Sequence, residues 1–131
     1  MIGLDTNVIV RYIMQDDAKQ SPKANALIEA LTPEAPGFVS IVSVVELVWV
    51  LGSCYDLTRQ QIAQSLEGIL RTKELVTERA DLLAKALRTF NASSADFADC
   101  LIERTADSEG CVKTMTFDIG AAKAAGMTLI S

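Results

Sequence analysis

The sequence predicts an α/β domain with a short, mainly parallel sheet covered by helices on both faces. Short apolar segments alternate with segments of helical periodicity along the whole chain. The strand segments are short and apolar, which is typical of parallel strands that are buried on both faces. The chain has 131 residues, and no repeat or linker divides it. We therefore expect a single domain over residues 1–131.

Strands are predicted from short apolar runs, and helices from apolar residues three and four positions apart. Pro22 suits the start of a helix capped by Ser21, Thr58 and Gln61 have capping-box form, and Gly110 suits the end of a helix. The predicted strands cover residues 1–4, 38–41, 75–77, 112–117 and 127–130. The predicted helices cover residues 8–14, 22–31, 42–54, 79–90 and 96–109, with another after Thr58 and a helical turn at 121–125. Helical spacing predicts the following core residues: Ala26, Leu27, Ala30, Leu31, Ile62, Leu66, Ile69, Leu70, Leu82, Leu83, Ala86, Leu87 and Phe90.

Composition narrows the classes of function. The chain has no histidine, which excludes Ser-His and Cys-His nucleophile pairs and histidine-based zinc sites. The net charge of −5 is unusual for a protein with a broad basic face, although metal-binding acids contribute charge that bound cations cancel. Cys54, Cys100 and Cys111 form no close pair, and we expect small buried apolar residues there. No targeting segment or membrane-length apolar run is visible, so we expect a cytoplasmic protein.

The most hydrophobic window, residues 37–55, contains one charged residue, Glu46. A carboxylate in apolar surroundings is costly unless it is paired, hydrogen-bonded or bound to a metal. We therefore expect a compensating partner for Glu46. Ser43 and Glu46 also fit a capping box, and this role is compatible with metal binding.

Four acids fall near the carboxyl ends of the predicted strands, where parallel sheets bind ligands. Asp5 ends the first strand, Glu46 lies in the helix after the second, Asp99 lies in the first turn of a later helix, and Asp118 follows the fourth strand. Carboxylates gathered at one edge repel each other without cations. Oxygen ligands without histidine favour Mg²⁺ or Mn²⁺, and such ions assist phosphodiester hydrolysis. Asp5 and Asp118 also suit turns, and Asp96 suits the N-cap of the helix that carries Asp99.

Four segments together resemble the PIN-domain proteins, and most closely the VapC-type toxins of prokaryotic toxin–antitoxin pairs. The segments are Leu4-Asp5-Thr6-Asn7-Val8, Ser43-Val44-Val45-Glu46-Leu47, Asp96-Phe97-Ala98-Asp99-Cys100-Leu101-Ile102 and Thr116-Phe117-Asp118. No single segment is specific, but the ordered set is, and it spans nearly the whole chain. The resemblance implies a three-layer α/β/α fold and a Mg²⁺- or Mn²⁺-dependent endoribonuclease. It also implies a homodimer that is inhibited by a small antitoxin protein.

The resemblance implies a role for each matching acid. Asp5 and Asp99 would be the central metal ligands. Glu46 and Asp118 would complete the pocket, bind a second ion or orient the attacking water. Ile119 stands where many relatives have a charged residue, which implies a less acidic pocket at that position.

Other matching residues would support the acids. Asp96 would be an accessory acid or a helix cap, and Thr6, Asn7 and Thr116 would hold the carboxylates in place. Basic residues that contact RNA are less evident, because exposed cations more often form a solvated surface. The candidates are Arg11, Lys19, Lys23, Arg71, Lys73 and Arg79.

Two other classes of function remain open from the sequence. One is a PIN-like module that binds RNA or protein without cleavage, although such a module has no need of four neighbouring acids. The other is a phosphatase with an aspartate nucleophile, because Asp5 follows the first strand. That class usually carries a second aspartate two residues later, where this chain has Asn7.

Overall fold

The structure is a computed structural model that describes all 131 residues as two compact units, Met1–Glu78 and Arg79–Ser131. The first unit contains β1 (Ile2–Gly3), α1 (Thr6–Met14), α2 (Gln20–Glu29), β2 (Gly37–Val39), α3 (Ile41–Ser53), α4 (Arg59–Arg71) and β3 (Leu75–Thr77). The second unit contains α5 (Ala80–Ala92), α6 (Phe97–Ser108), β4 (Met115–Thr116), α7 (Ile119–Ala124) and β5 (Thr128–Leu129). No helix is both long enough and apolar enough to span a bilayer.

The first unit is built on a parallel sheet of order β1-β2-β3, in which Ile2 pairs with Gly37 and Phe38 with Val76. Helix α1 packs against α2 and α3, and α3 packs against α4. A side chain at Gly37 would be crowded, because a Cβ there would lie 2.8 Å from a methyl carbon of Leu4 and 3.0 Å from one of Leu31. Because the three strands run parallel, their carboxyl ends lie at one edge of this sheet.

The second unit pairs β4 with β5 in parallel and packs α5 against α6. The rings of Phe90 and Phe97 meet edge to face with centroids 5.8 Å apart, a geometry that aromatic pairs favour. All five predicted core residues of α5 are buried: Leu82, Leu83, Ala86, Leu87 and Phe90. The helical periodicity of this segment was sufficient to identify its buried face.

Several predicted details are confirmed in the turns and caps. Thr58 and Gln61 form a capping box with both reciprocal hydrogen bonds. Gly110 follows α6 with φ +88°, a left-handed conformation that glycine adopts without steric cost. Ile62, Leu66 and Ile69 of α4 are buried, whereas Leu70 is half-buried.

The prediction for α2 was wrong at its start and on its face. Helix α2 begins at Gln20, and the side chain of Asp17 accepts hydrogen bonds from the backbone N–H groups of Lys19 and Gln20. Ser21 is no cap, because it lies inside the helix and donates its hydroxyl to the carbonyl of Arg11. The residues expected inward at positions 26, 27 and 30 are exposed, and of the four only Leu31 is buried.

Two further expectations were wrong. The predicted strand at 112–117 pairs only at Met115–Thr116, and the side chain of Val112 is 100% exposed. Of the three cysteines, only Cys100 is buried, whereas Cys54 and Cys111 are exposed. An apolar run or residue type alone did not identify which of these side chains have a packing partner.

Candidate functional site

Asp5 lies two residues after the end of β1 and is the N-cap of α1 in the first unit. Its extended backbone, with ψ 156°, allows Oδ1 to accept a hydrogen bond of 2.8 Å from the N–H of Thr6. The Thr6 side chain is buried, and its hydroxyl makes no hydrogen bond. Thr6 therefore holds the Asp5 carboxylate through its backbone, and Asn7 follows as an exposed residue of the same turn.

Glu46 is exposed, which overturns the premise that its charge is buried in apolar surroundings. Helix α3 begins at Ile41 and is capped by Ser40, whose hydroxyl accepts from the N–H of Ser43. Glu46 is thus an interior helical residue and forms no capping box with Ser43. It shares the outer face of α3 with Val42 and Trp49, which are 74% and 64% exposed. Water can solvate this carboxylate, so its position in an apolar window does not by itself require a partner.

Asp99 is the electrostatically perturbed acid of the second unit. It is half-buried in the first turn of α6. Burial raises the pKa of the Asp99 carboxyl above its ordinary value, and the nearby charges of Asp96 and Asp118 raise it further. The structure thus brings these three acids into electrostatic contact. Asp96 occupies the N-cap position of α6, but its side chain makes no capping hydrogen bond.

Asp118 follows β4 and is held in place by its own turn. Oδ1 accepts hydrogen bonds from the N–H groups of Gly120 and Ala121, at 2.7 and 3.2 Å. The hydroxyl of Thr116 accepts from the backbone N–H of Asp118 at 3.0 Å. A Cβ on Gly120 would lie only 3.1 Å from Oδ1. Thr116 and Gly120 therefore fix the position of this carboxylate, and the turn role considered for Asp118 is present.

The sequence interpretation missed Glu78, which follows β3 as Asp5 follows β1. Its Oε1 accepts a hydrogen bond of 2.9 Å from the N–H of Ile41, at the first turn of α3. A carboxylate near a helix N-terminus is stabilised by the helix dipole. The signal was an acid directly after a predicted strand, the pattern that identified Asp5.

The predicted residues divide between the two units. Asp5, Thr6, Asn7 and Glu46 belong to the first unit; Asp96, Asp99, Thr116 and Asp118 belong to the second. No group of three or more histidine, cysteine, aspartate or glutamate side chains is arranged to hold a metal ion. Electrostatic repulsion acts over longer distances than the roughly 2.0–2.1 Å at which Mg²⁺ binds oxygen. The three acids of the second unit are therefore close enough to interact, without being gathered into a ligand shell.

The donor chemistry fits a hard divalent cation. The candidate ligands are all carboxylates, which Mg²⁺ and Mn²⁺ prefer. Asp96 and Asp118 disfavour the charged form of Asp99, and a nearby cation would favour it. The Thr6 hydroxyl beside Asp5 is a buried polar group without a partner, an arrangement that is unusual in folded proteins.

Comparison with protein-family models gives a match to the PIN domain over residues 2–127. The match includes parts of both units and every candidate site residue, and it confirms the predicted α/β fold class. No curated protein and no solved structure matched the sequence. PIN domains are generally nucleases, so the match supports hydrolysis as the general class of reaction. The chain belongs to the PIN domain family.

Proposed function

We propose that this protein is a Mg²⁺- or Mn²⁺-dependent endoribonuclease that hydrolyses RNA phosphodiester bonds with water. The observation that carries the proposal is the family match over residues 2–127, which contains all four acids of the proposed site. The raised pKa of Asp99 beside Asp96 and Asp118 supports it. Carboxylates with perturbed pKa values are concentrated at functional sites. Membership of the PIN family, whose members are generally nucleases, supports the same reaction class.

In the proposed site, Asp5 and Asp99 are the central ligands, and Glu46 and Asp118 complete the acidic pocket. A bound Mg²⁺ would supply Lewis-acid chemistry, because it lowers the pKa of water and stabilises charge that develops on phosphoryl oxygens. The protein's part is to fix the carboxylates. The Thr6 N–H holds Asp5, and the N–H groups after Asp118 hold Asp118.

Asp96 is proposed as an accessory acid rather than a helix cap. Its carboxylate makes no capping bond and contributes to the raised pKa of Asp99. The nearby charge of Asp96 would thus tune the charge of Asp99.

In the hydrolysis, water adds to phosphorus and gives up a proton, the bond from phosphorus to one ribose oxygen breaks, and that oxygen takes up a proton.

We also propose that the protein is the toxin of a toxin–antitoxin pair, acts in the cytoplasm and forms a homodimer. The four segments that resemble VapC-type toxins support this assignment. Exposed apolar side chains also support protein partners, because such surfaces commonly mark interaction sites. Val42 and Trp49 of α3 are two such residues on one helix face of the first unit.

RNA cleavage by purified protein tests the proposed function. We expect cleavage with Mg²⁺, none with EDTA, and a loss of about 100-fold or more in Asp5→Asn, because the variant lacks a central anionic ligand. Asp56→Asn is the matched control, since Asp56 is an exposed aspartate of the same unit outside the candidate site.

Equal cleavage by wild type and Asp5→Asn with Mg²⁺ present would refute the proposal. RNA binding without cleavage under any metal condition would instead indicate a non-catalytic binding module. Growth arrest on expression of wild type, with normal growth for Asp5→Ala, tests the toxin assignment separately.

A further inference from the structure

A cavity of about 280 Å³ opens between α1 and α2 in the first unit. Its polar lining consists of Asn7, Arg11, Gln20 and Lys23, and its apolar lining includes Val8 and Leu27. The volume is near the lower end of the range for small-molecule sites, roughly 300–1,000 Å³. One end of the cavity is formed by Asn7, two residues after Asp5.

Arg11 is held in a defined orientation at this cavity. Its Nε donates a hydrogen bond of 2.7 Å to Oε1 of Gln20, and Nη1 donates to the Tyr55 hydroxyl at 3.1 Å. The Tyr55 hydroxyl in turn donates to Asp16 at 2.7 Å, and Asp16 also pairs with Nη1 at 3.4 Å. A guanidinium that is already ordered loses less conformational entropy when it binds an anion.

Lys23 provides the second positive charge, and no ion pair neutralises it in the structure. It lies on α2 and is exposed, so its ammonium group can reach an anion at the rim of the cavity. Asp16 offsets part of the charge of Arg11, which leaves Lys23 as the main uncompensated cation. An anionic group at the rim and a flat or apolar group against Val8 and Leu27 would match this lining.

A nucleotide has both of these parts, a phosphate and a base with an apolar face. The amide side chains of Asn7 and Gln20 carry donors and acceptors that suit base or ribose edges. Proteins that bind single strands commonly combine cations for the backbone with apolar or aromatic surfaces for the bases. The small size and cationic rim favour one nucleotide over a protein segment.

We propose that this cavity is a subsite for one nucleotide of single-stranded RNA, flanking the position at which the chain is cleaved. Lys23 and Arg11 contact its phosphate, and the base or ribose lies against Val8 and Leu27. The inference rests on the proposed function, because it takes RNA as the substrate and Asp5 as part of the cleavage site. It assigns the RNA contact to Arg11 and Lys23 and not to the other exposed cations of the chain.

Binding of a short fluorescent single-stranded RNA of randomised sequence, measured by anisotropy in EDTA, tests the subsite without cleavage. We expect Lys23→Ala to raise Kd by about threefold to tenfold and to reduce the slope of log Kd against log salt by about 0.7, the loss of one phosphate contact. Lys85→Ala is the matched control, because Lys85 is an exposed lysine that does not line the cavity and is not among the candidate RNA contacts. We expect its Kd to change less than twofold, and Lys23→Arg to retain most of the affinity.

Uridine monophosphate and inorganic phosphate provide a second measurement by NMR. We expect the nucleotide to shift the amide signals of Asn7, Gln20 and Leu27, and inorganic phosphate to shift them less at the same concentration. Shifts equal for the two ligands would overturn the nucleotide assignment.

Different experimental outcomes would refute the proposed subsite and the proposed nuclease. Equal effects of Lys23→Ala and Lys85→Ala on RNA binding, with metal-dependent cleavage intact, would overturn the subsite alone. Selective weakening by Lys23→Ala without cleavage in any metal would refute the nuclease, and with it the position beside a cleavage site, and would retain only the RNA contact at this cavity. No RNA binding by the wild type would overturn both.

Discussion

The acids described in the first unit are locally accommodated, whereas Asp99 in the second unit is opposed by its acidic neighbours. Asp5 accepts a backbone hydrogen bond at the start of α1, Glu78 accepts one at the start of α3, and Glu46 is exposed to water. In the second unit, by contrast, Asp99 is half-buried and its pKa is raised by burial, by Asp96 and by Asp118. The carboxylates of Asp5 and Asp99 therefore differ in whether their surroundings stabilise the charged form.

This contrast distinguishes an acid that a local hydrogen bond holds in place from an acid whose negative charge lacks a stabilising partner. Asp5 can be explained as a helix cap without any ligand. Asp99 has no hydrogen bond that would stabilise its charged form, and its neighbours disfavour that form. Carboxylates with raised pKa values are concentrated at functional sites, where a cation can offset the repulsion. The second unit thus carries the stronger physical argument for a cation.

The largest expected effect is on cation-dependent stability. We expect Mg²⁺ to raise the Tm of the wild type, with a gain of about 2.7 kcal/mol at a concentration 100-fold above Kd. Asp99→Asn should abolish this gain, because the amide lacks the negative charge that the cation compensates. Differential scanning calorimetry at several Mg²⁺ concentrations measures the effect.

The matched control is Asp107→Asn, on the exposed face of the same helix, which should retain the Mg²⁺ effect. Asp5→Asn sharpens the comparison between the units. Loss of the Tm shift in both Asp5→Asn and Asp99→Asn would indicate that both units contribute ligands. A shift that persists in Asp99→Asn would contradict the role assigned to the second unit.

In metal-free protein, Asp5→Ala should lower the free energy of unfolding, whereas Asp99→Asn should not. Asp5→Ala removes the N-cap acceptor of α1 and should lower the free energy of unfolding by about 1 kcal/mol. Asp99→Asn removes a carboxylate whose charged form is disfavoured, so it should leave the free energy of unfolding unchanged or raise it. Urea unfolding at neutral pH in EDTA measures both variants. Equal destabilisation by the two substitutions would remove the distinction between the units.

The parts of the fold that were predictable depend on local patterns. The five apolar positions of α5 repeat at helical spacing, and all are buried. Thr58 and Gln61 are three residues apart, and their capping box depends only on that local turn. The order of Asp5, Glu46, Asp99 and Asp118 was likewise sufficient to identify the family that the match over residues 2–127 establishes.

The parts that were not predictable depend on packing partners distant in sequence. Glu46 was expected to be buried because residues 37–55 are apolar on average, but one face of α3 is exposed. Ser21 was expected to cap α2, but Asp17 accepts the hydrogen bonds at this turn and Ser21 contacts the carbonyl of Arg11. The repulsion around Asp99 likewise needed the positions of Asp96 and Asp118, which sequence order does not give.

The smallest expected effect, and the most direct comparison of the units, is the pH dependence of stability in metal-free protein. Backbone N–H groups of Gln20 and Lys19 lower the pKa of Asp17 in the first unit. Its contribution to stability is therefore present above the unfolded pKa of about 3.9 and is lost as pH falls through the lower folded value. Asp99 has a raised folded pKa, so the stability that its charged form costs is lost at neutral pH and is regained as pH falls through that folded value towards about 3.9.

The Tm of Asp99→Asn should therefore exceed that of wild type at pH 7 and converge on it as the pH is lowered through this window. The Tm of Asp17→Asn should lie below that of wild type at pH 7 and converge only at more acid pH. Convergence of both variants over the same pH range would show that the two carboxylates do not differ as their surroundings indicate.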